Sequence, residues 1–338
     1  MASPDFGDAL ATTAPDAVQQ ALTRALRRLA KREDNTAALV AAVERAAKDA
    51  ALGAPARIPP PRPGKATGSP LVPLLHLTDW QAGKTNEEFG IDVLERRLRV
   101  CLEVVGKIAR DIRTSRPCDE AHVMLGGDMV EGTTIFPGQA WEVEASLFTQ
   151  LFEVVRLIHL CIDHALATFG HVTVWEEAGN HGRIGRKGEQ PGGDNVDRIA
   201  YRIAAERYSG NERVTWHPMT SWHQIVSVGN YRALLVHGDE INSYGGNHPS
   251  YGIVKKVSAW SSGVVDPFRD AYLGHFHRPD TYTLPNGGSI FLTGSPESGN
   301  QYAKEFMAAT GRPSQRCNIV DPERGLVIAE HRIWLEDS

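Results

Sequence analysis

The sequence predicts an α/β fold of sheets layered with helices, preceded by a small N-terminal helical segment. Three observations predict it. From residue 71 onward, short apolar runs alternate with stretches of helical spacing. The early runs each end in polar residues, the pattern of buried strands that deliver side chains to one rim. The last runs follow one another without intervening helices, so the sheets are expected to finish in antiparallel strands.

Residues 1–52 are read as helical. In PDAVQQALTRALRRLAK (15–31), Val18, Leu22, Ala25, Leu26 and Leu29 fall at helical spacing, and the Ala-rich stretch 35–52 continues it as a hairpin joined at RED. Residues 53–70 (GAPARIPPPRPGKATGSP) are too rich in Pro and Gly for a helix or an inner strand and form a linker. Its Arg57, Arg62 and Lys65 read better as a solvated tether than as phosphate contacts. Residues 71–338 form the main domain. It begins with strand LVPLLHLTD (71–79), a helix over 91–115 and strand AHVMLGGD (121–128). A helix around 140–168 follows, with Leu147, Leu151, Val154, Val155, Ile158 and Ile162 on one broad apolar face. Next come strand HVTVWEEAGN (171–180), a helix near 194–208, and strands YRALLVHGDE (231–240) and DAYLGHFH (270–277). The closing runs are SIFLTGS, CNIVD and LVIAEHRIWL.

Composition narrows the function. The chain has 338 residues, 41% hydrophobic and 23% charged, which suits one large domain plus a smaller piece. Its net charge of −5 means that any nucleic-acid role needs a local basic patch on an acidic body. Cys101, Cys118, Cys161 and Cys317 lack CxxC spacing and read as reduced packing thiols of a cytoplasmic protein. No stretch approaches about 18 consecutive apolar residues, so no membrane span is expected. The opening MASPDFGDAL lacks the charged-then-apolar pattern of a secretory signal.

The chemistry collects at the strand ends. The first delivers Asp79-Trp80-Gln81, the second Gly127-Asp128-Met129-Val130-Glu131, and the third Gly179-Asn180-His181. The fourth delivers His237-Gly238-Asp239 and the fifth Gly274-His275-Phe276-His277. Singly, each has an ordinary structural reading: an Asp as a turn or helix cap, a His as a satisfied structural histidine, Gly-Asn and His-Gly as turn dipeptides. Carboxylate, amide and imidazole converging on one rim are the ligand set of divalent metals. His275 and His277 are two apart, so on a regular strand both would point to one face.

In order, the blocks D-x-[H/Q], GD-x-x-[D/E], GNH, H and GHxH resemble those of the calcineurin-like binuclear metallophosphoesterases, over roughly residues 71–300. The resemblance implies a two-sheet β-sandwich flanked by helices, in four layers α/β/β/α. It also implies two divalent metal ions bridged by Asp128. Asp79, Asp128 and His277, with Gln81, would hold one ion; Asp128, Asn180, His237 and His275 would hold the other. His181 would be the catalytic group, standing over the ions and acting on the substrate. Two ions about 3.5–4 Å apart clamp the attacking and departing oxygens of an in-line displacement and activate the attacking water. Arg183, Arg186 and Lys187 follow GNH and are candidate substrate-binding residues for flanking phosphates; a solvated loop explains them equally well. Two positions depart from the family pattern. Gln81 stands where many members have His, which favours an oxygen-tolerant ion: Mn²⁺ first, with Mg²⁺, Fe²⁺ or Zn²⁺ as the other choices. Gly182 stands where the family usually places the Asp or Glu that orients the histidine, and Glu177 and Asp239 are the candidates to replace it.

HLTDWQAGK, GGDMVEG, GNHGR, VHGDE and GHFH are together most similar to phage-encoded nucleases related to the SbcD subunit of the bacterial SbcCD complex. This implies manganese-dependent exo- or endonuclease action on DNA in the cytoplasm, the host's if phage-encoded. It also implies a homodimer and an SbcC-like ATPase as partners. Arg96, Arg97, Arg99, Lys107, Arg110, Arg113 and Arg116 lie on or just beyond the helix near 91–115, but helical spacing spreads them over more than one face, as on a solvated exterior. Trp80 and Phe136 border the rim as base-stacking or as packing residues. Two alternatives stand beside the nuclease. One is a phosphodiesterase or phosphatase for small or cyclic nucleotides, which needs a closed pocket. The other is a non-catalytic metallophosphoesterase-like binding subunit, for which Gln81 and Gly182 are the only support.

Overall fold

The computed structural model describes residues 58–61, 64–135, 139–185, 193–241, 250–297 and 312–336, all within the unit Gly53–Ser338. The expected N-terminal helices lie outside the described residues, as do Phe136, Arg186 and Lys187. The described parts of the linker, 58–61 and 64–70, carry no helix or strand.

In chain order the elements begin with β1 (Val72–Leu77), α1 (Ile91–Ile112), β2 (Glu120–Leu125), α2 (Leu147–Thr168), β3 (His171–Glu176) and α3 (Val196–Glu206). They continue with β4 (Val214–His217), β5 (Gln224–Val228), β6 (Tyr231–Leu235), α4 (Ser250–Ala259) and β7 (Asp270–Leu273). The chain closes with β8 (Asp280–Thr283), β9 (Ser289–Leu292), β10 (Ser314–Asp321) and β11 (Leu326–Trp334).

Helix starts follow their caps. Ser146 Oγ accepts from Thr149 N, so α2 begins at Leu147 and not near 140; residues Gln139–Trp141 make a separate 3₁₀ turn. Asn195 accepts from Asp197 N and starts α3. Gly90 has no side chain to cap α1, and Glu144 Oε1 reaches across to accept from Ile91 N at 2.6 Å.

Two sheets result. The first runs β11-β10-β1-β2-β3-β4, with β1 to β4 parallel and β10 antiparallel to both β1 and β11. Strand β1 is buried along its whole length, as a parallel strand covered on both faces must be. The second runs β5-β6-β7-β9-β8. Here the expectation of purely antiparallel late strands needs correction: β9 pairs parallel with β7 and antiparallel with β8. The short strand β8 was not recognised in the sequence because its alternate residues are exposed. Edge strands β4 and β5 and helix α4 went unrecognised too.

The layers are those expected of a four-layer α/β/β/α fold. Val72, Leu74, Met124 and Trp175 of the first sheet meet Val226, Tyr231, Leu235, Tyr272 and Phe291 of the second in one core. Ile253 and Val257 of α4 pack with Leu234, Ala271, Ile290 and Leu292 on the outer face of the second sheet. Helices α1 and α2 pack against each other and against strands of the first sheet, and α3 packs on α2. All four cysteines are buried and free, and burial pushes the Cys118 thiol up to about 11. No helix among the described residues is long and apolar enough to cross a membrane.

The layering brings strand ends from both sheets to one crevice. Asp79 N donates to Gly127 O at 2.9 Å, stitching the ends of β1 and β2. His237 Nδ1 reaches Gly126 O at 2.8 Å, and Gly274 N donates to His237 O at 3.0 Å, tying β6 and β7 to the first sheet.

Candidate metal centre

The backbone marks the site before any side chain is considered. Among the described residues, the non-glycine positions with positive φ are Asp79 (55°), Gln81 (45°), Asp128 (52°), His275 (66°) and His277 (51°). Each such conformation costs an L-residue about 1–2 kcal/mol. All five are among the ligand candidates from the sequence. Strain gathered at ligand-type side chains points to function, since the surrounding fold must hold it. His275 and His277 therefore sit on a left-handed turn past β7 and not on a regular strand. The turn is held by Asp79, whose two carboxylate oxygens accept from His275 N at 2.9 and 3.1 Å.

Asp128 is at the centre. One ligand atom from each of Asp128, His237 and His275 lies within 4.8 Å of the others. Asp128 Oδ1 accepts from His181 N at 2.7 Å, and Oδ2 faces His237 Nε2 at 3.0 Å. Gly126 O can only accept, so His237 Nδ1 carries a proton and Nε2 is the nitrogen turned toward Asp128. A lone pair and a carboxylate oxygen at 3.0 Å need a cation or a proton between them. Accordingly, burial disfavours charge on His237, yet Asp128 overrides it and raises the pKa well above the ordinary value. Asn180 Oδ1 is buried with no hydrogen-bond partner among the described residues, which suits a metal ligand. Burial, with His237 adding to it, lowers His275 to about 4, so it offers a lone pair at neutral pH. The donor set fits a divalent cation.

On the other side, His277 Nε2 lies 3.4 Å from Asp79 Oδ1 and 3.2 Å from Gln81 Nε2. Burial opposes charge on His277, but Asp79 and Glu297 outweigh it and move the pKa up to about 10, so a cation entering here displaces a proton.

His181 is oriented by Glu131, not by Glu177 or Asp239. Its Nδ1 donates to Glu131 O at 2.8 Å, with Glu131 Oε2 at 3.3 Å. Gln139 Nε2 lies 3.4 Å from the same nitrogen and bonds Glu131 O and Oε1. That leaves Nε2 as the end open to substrate. Burial lowers the pKa of His181, but Asp128 and Glu131 raise it more, to about 9. The carboxylate expected directly after GNH comes instead from the end of the second block. Glu177 is a buried carboxyl whose pKa rises well above normal through burial and the nearby Glu240. Asp239 is ion-paired with Arg183, which is partly exposed.

Gly182 has a steric cause. A Cβ there would overlap Asn195 Oδ1 and lie 3.0 Å from Asp197 Cγ. Asn195 uses its side chain twice, capping α3 and donating to Gly179 O at 2.8 Å. Asp197 braces two ligand loops. Its Oδ1 accepts from Met129 N and Val130 N at 3.2 Å, and its Oδ2 from Gly179 N at 3.0 Å. Sequence reading missed both residues, though the cap pattern at N-V-D before an apolar stretch was available. Gly179 itself is required because a Cβ would fall on the Asp128 carboxylate. Trp80 is fully buried and packs; it does not stack on a base. Of the basic residues near α1, Arg97 donates to Pro296 O, Arg113 to Cys118 O and Thr168 O, and Arg116 to Ser69, while Arg99 pairs with Glu95.

No family description matches the chain, and no curated protein matches it. Among solved structures, a metallophosphoesterase from Sphaerobacter thermophilus is 17% identical, with a TM-score of 0.32 over 77% of this chain and 88% of that one. Vps29 complexed with zinc, from Entamoeba histolytica, is 12% identical, with a TM-score of 0.34 over 78% and 99%. A 5'-nucleotidase from Candida albicans is 10% identical, with a TM-score of 0.35 over 81% and 54%. At such identities and TM-scores no activity transfers, and the functional reading rests on the site's own residues.

Proposed function

We propose that the protein is a metal-dependent phosphodiesterase that acts on DNA. The observation that carries the reading is the gathering of one ligand atom each from Asp128, His237 and His275 within 4.8 Å of one another. The unpartnered Asn180 Oδ1 supports it. Bound divalent ions would supply Lewis-acid activation of the phosphoryl group and the attacking water. Asp79, Asp128, Asn180, His237, His275 and His277 are the residues placed to hold them. His181 has Nδ1 fixed by Glu131 O, which leaves Nε2 as the position from which a proton would pass to the departing oxygen.

The DNA part of the reading is supported by exposed aromatic rings on the 3₁₀ turn Gln139–Trp141 and on α2. Trp141 is 92% exposed and stands two residues beyond Gln139, which touches His181. Phe148 and Phe152, 57% and 45% exposed, lie one turn apart on α2. Unpaired bases stack on exposed aromatic rings, whereas a small nucleotide held in a closed pocket needs none outside it. The test is a Mn²⁺-supplemented assay on linear duplex DNA, single strands, circular DNA and cyclic nucleotides. Cleavage of DNA strands is expected; hydrolysis of cyclic nucleotides alone overturns the DNA assignment.

A further inference from the structure

We propose that the cleft at the far end of the sandwich is a second binding site, shaped for an uncharged planar heterocycle of the nucleoside class and closed to phosphates. It lies toward the starts of β2 and β3, away from Asp128, and it does not depend on how the metal centre is read.

The strand pattern places the cleft. Met124 and Trp175 belong to the core between the two sheets. Side chains two residues apart on a strand share a face, so Glu120, His122, His171 and Thr173 point the same way. The register sets Thr215 beside Thr173 and His217 beside Trp175. The inner face of a sandwich is normally apolar. Here these polar side chains stand on it and line a cavity of about 510 Å³, a volume in the range of small-molecule sites. The rim is preformed. Asn230 N donates to Pro322 O at 2.8 Å and Asn230 Nδ2 to Glu323 O at 2.9 Å, which locks the β5–β6 turn onto the β10–β11 turn.

The lining is ordered. Trp175 Nε1 donates to His122 Nδ1 at 3.0 Å, so His122 keeps its proton on Nε2, which faces Glu120 Oε1 at 2.9 Å. That hydrogen bond holds the Glu120 carboxyl below its usual range, so it is ionised at neutral pH. His217 lies flat on the Trp175 indole, with ring centroids 3.9 Å apart and planes 10° from parallel. Burial, with His122 adding to it, lowers the pKa of His217, so at neutral pH the ring offers one donor and one acceptor. Neither the His217 ring nitrogens nor the Thr173 hydroxyl has a hydrogen-bond partner among the described residues.

This lining selects its ligand. Among the described residues no Lys or Arg borders the cavity and Glu120 does, so an anion would meet a carboxylate with nothing to balance it. The cleft is not arranged for a metal ion either. Both nitrogens of His122 are engaged, and among the described residues only Asp128, His237 and His275 gather three ligand atoms. A wholly apolar guest would cover the His217 and Thr173 groups without replacing their water. A neutral molecule with donors and acceptors fits, and the aromatic wall of Trp175 and His217 suits a planar ring. A nucleoside has both properties.

The test is a titration of the metal-stripped full chain, followed by ligand-observed NMR, with adenosine, guanosine, cytidine and uridine and with their 5'-monophosphates. At least one nucleoside is expected to bind saturably, and its monophosphate at least about tenfold more weakly. Thr173→Val keeps the shape of the side chain and loses the hydroxyl; it should weaken the nucleoside by about threefold to tenfold. His217→Ala should weaken it by about tenfold or more. A melting curve checks that His217→Ala folds, and Thr173→Val carries the test if it does not. No saturable nucleoside binding, equal binding of the monophosphate, or binding untouched in Thr173→Val overturns the inference, and each leaves the reading of the metal centre standing.

Discussion

Replacing Gly182 with alanine puts a methyl group where Asn195 keeps its side-chain oxygen. The new Cβ overlaps Asn195 Oδ1 and lies 3.0 Å from Asp197 Cγ, so Asn195 must move. Moving it breaks the α3 cap, worth about 1 kcal/mol. It also breaks the 2.8 Å hydrogen bond to Gly179 O, worth about 1 kcal/mol. Residual overpacking against Asp197 adds about 1–3 kcal/mol. The expected destabilisation is about 3–5 kcal/mol, read as a lower urea midpoint of the metal-free protein. Because the loss runs through Asn195, the effects of Gly182→Ala and Asn195→Ala should not add. A double-mutant cycle should show coupling of at least about 1 kcal/mol. Gly182→Ala within about 0.5 kcal/mol of the wild type, or strictly additive effects, would refute the steric account of this glycine.

His181→Ala should keep Mn²⁺ affinity while hydrolysis falls by about 10²–10⁴, the usual worth of a general acid; loss of metal instead would make His181 a ligand. Asp197 gives a pH signature. Burial first, and then Asp128, push its carboxyl up to about 6, against about 4 for an unfolded Asp. The native state therefore binds this proton more readily than the unfolded chain does. Its stabilising effect is complete below about pH 4 and is lost as pH rises through about 6. Asp197→Asn removes that titration. Urea midpoints from about pH 4 to 7 should then show the wild type losing about 2–3 kcal/mol more than the variant. Equal pH slopes would contradict the burial argument.

The candidate ligands stood out in the sequence because each follows an apolar run, and strand ends are where such runs deliver side chains. Their order gave the resemblance and with it the two-sheet layering. The conformation of the ligand turns was not legible. Asp79, Gln81, Asp128, His275 and His277 are residue types that pay for a left-handed backbone, and glycine alone advertises one. Nor was the support of His181: Glu131 lies 50 residues away in the chain, and only the folded loops bring it to Nδ1. Gly182 looked like a missing carboxylate. It is a glycine because Asn195, thirteen positions on, needs the space. Strands β4 and β8 escaped notice because four residues at half-exposed edge positions leave too few apolar residues to read.

The central claim is that Asp128 organises cation-assisted hydrolysis of a phosphodiester. Its most direct test is Mn²⁺-dependent hydrolysis of bis-p-nitrophenyl phosphate by the wild type and by Asp128→Asn, with metal content measured in both. Chelator-sensitive turnover in the wild type is expected, and loss of both turnover and bound metal in the variant. Full activity in Asp128→Asn, or wild-type turnover that survives complete removal of metal, would contradict the account.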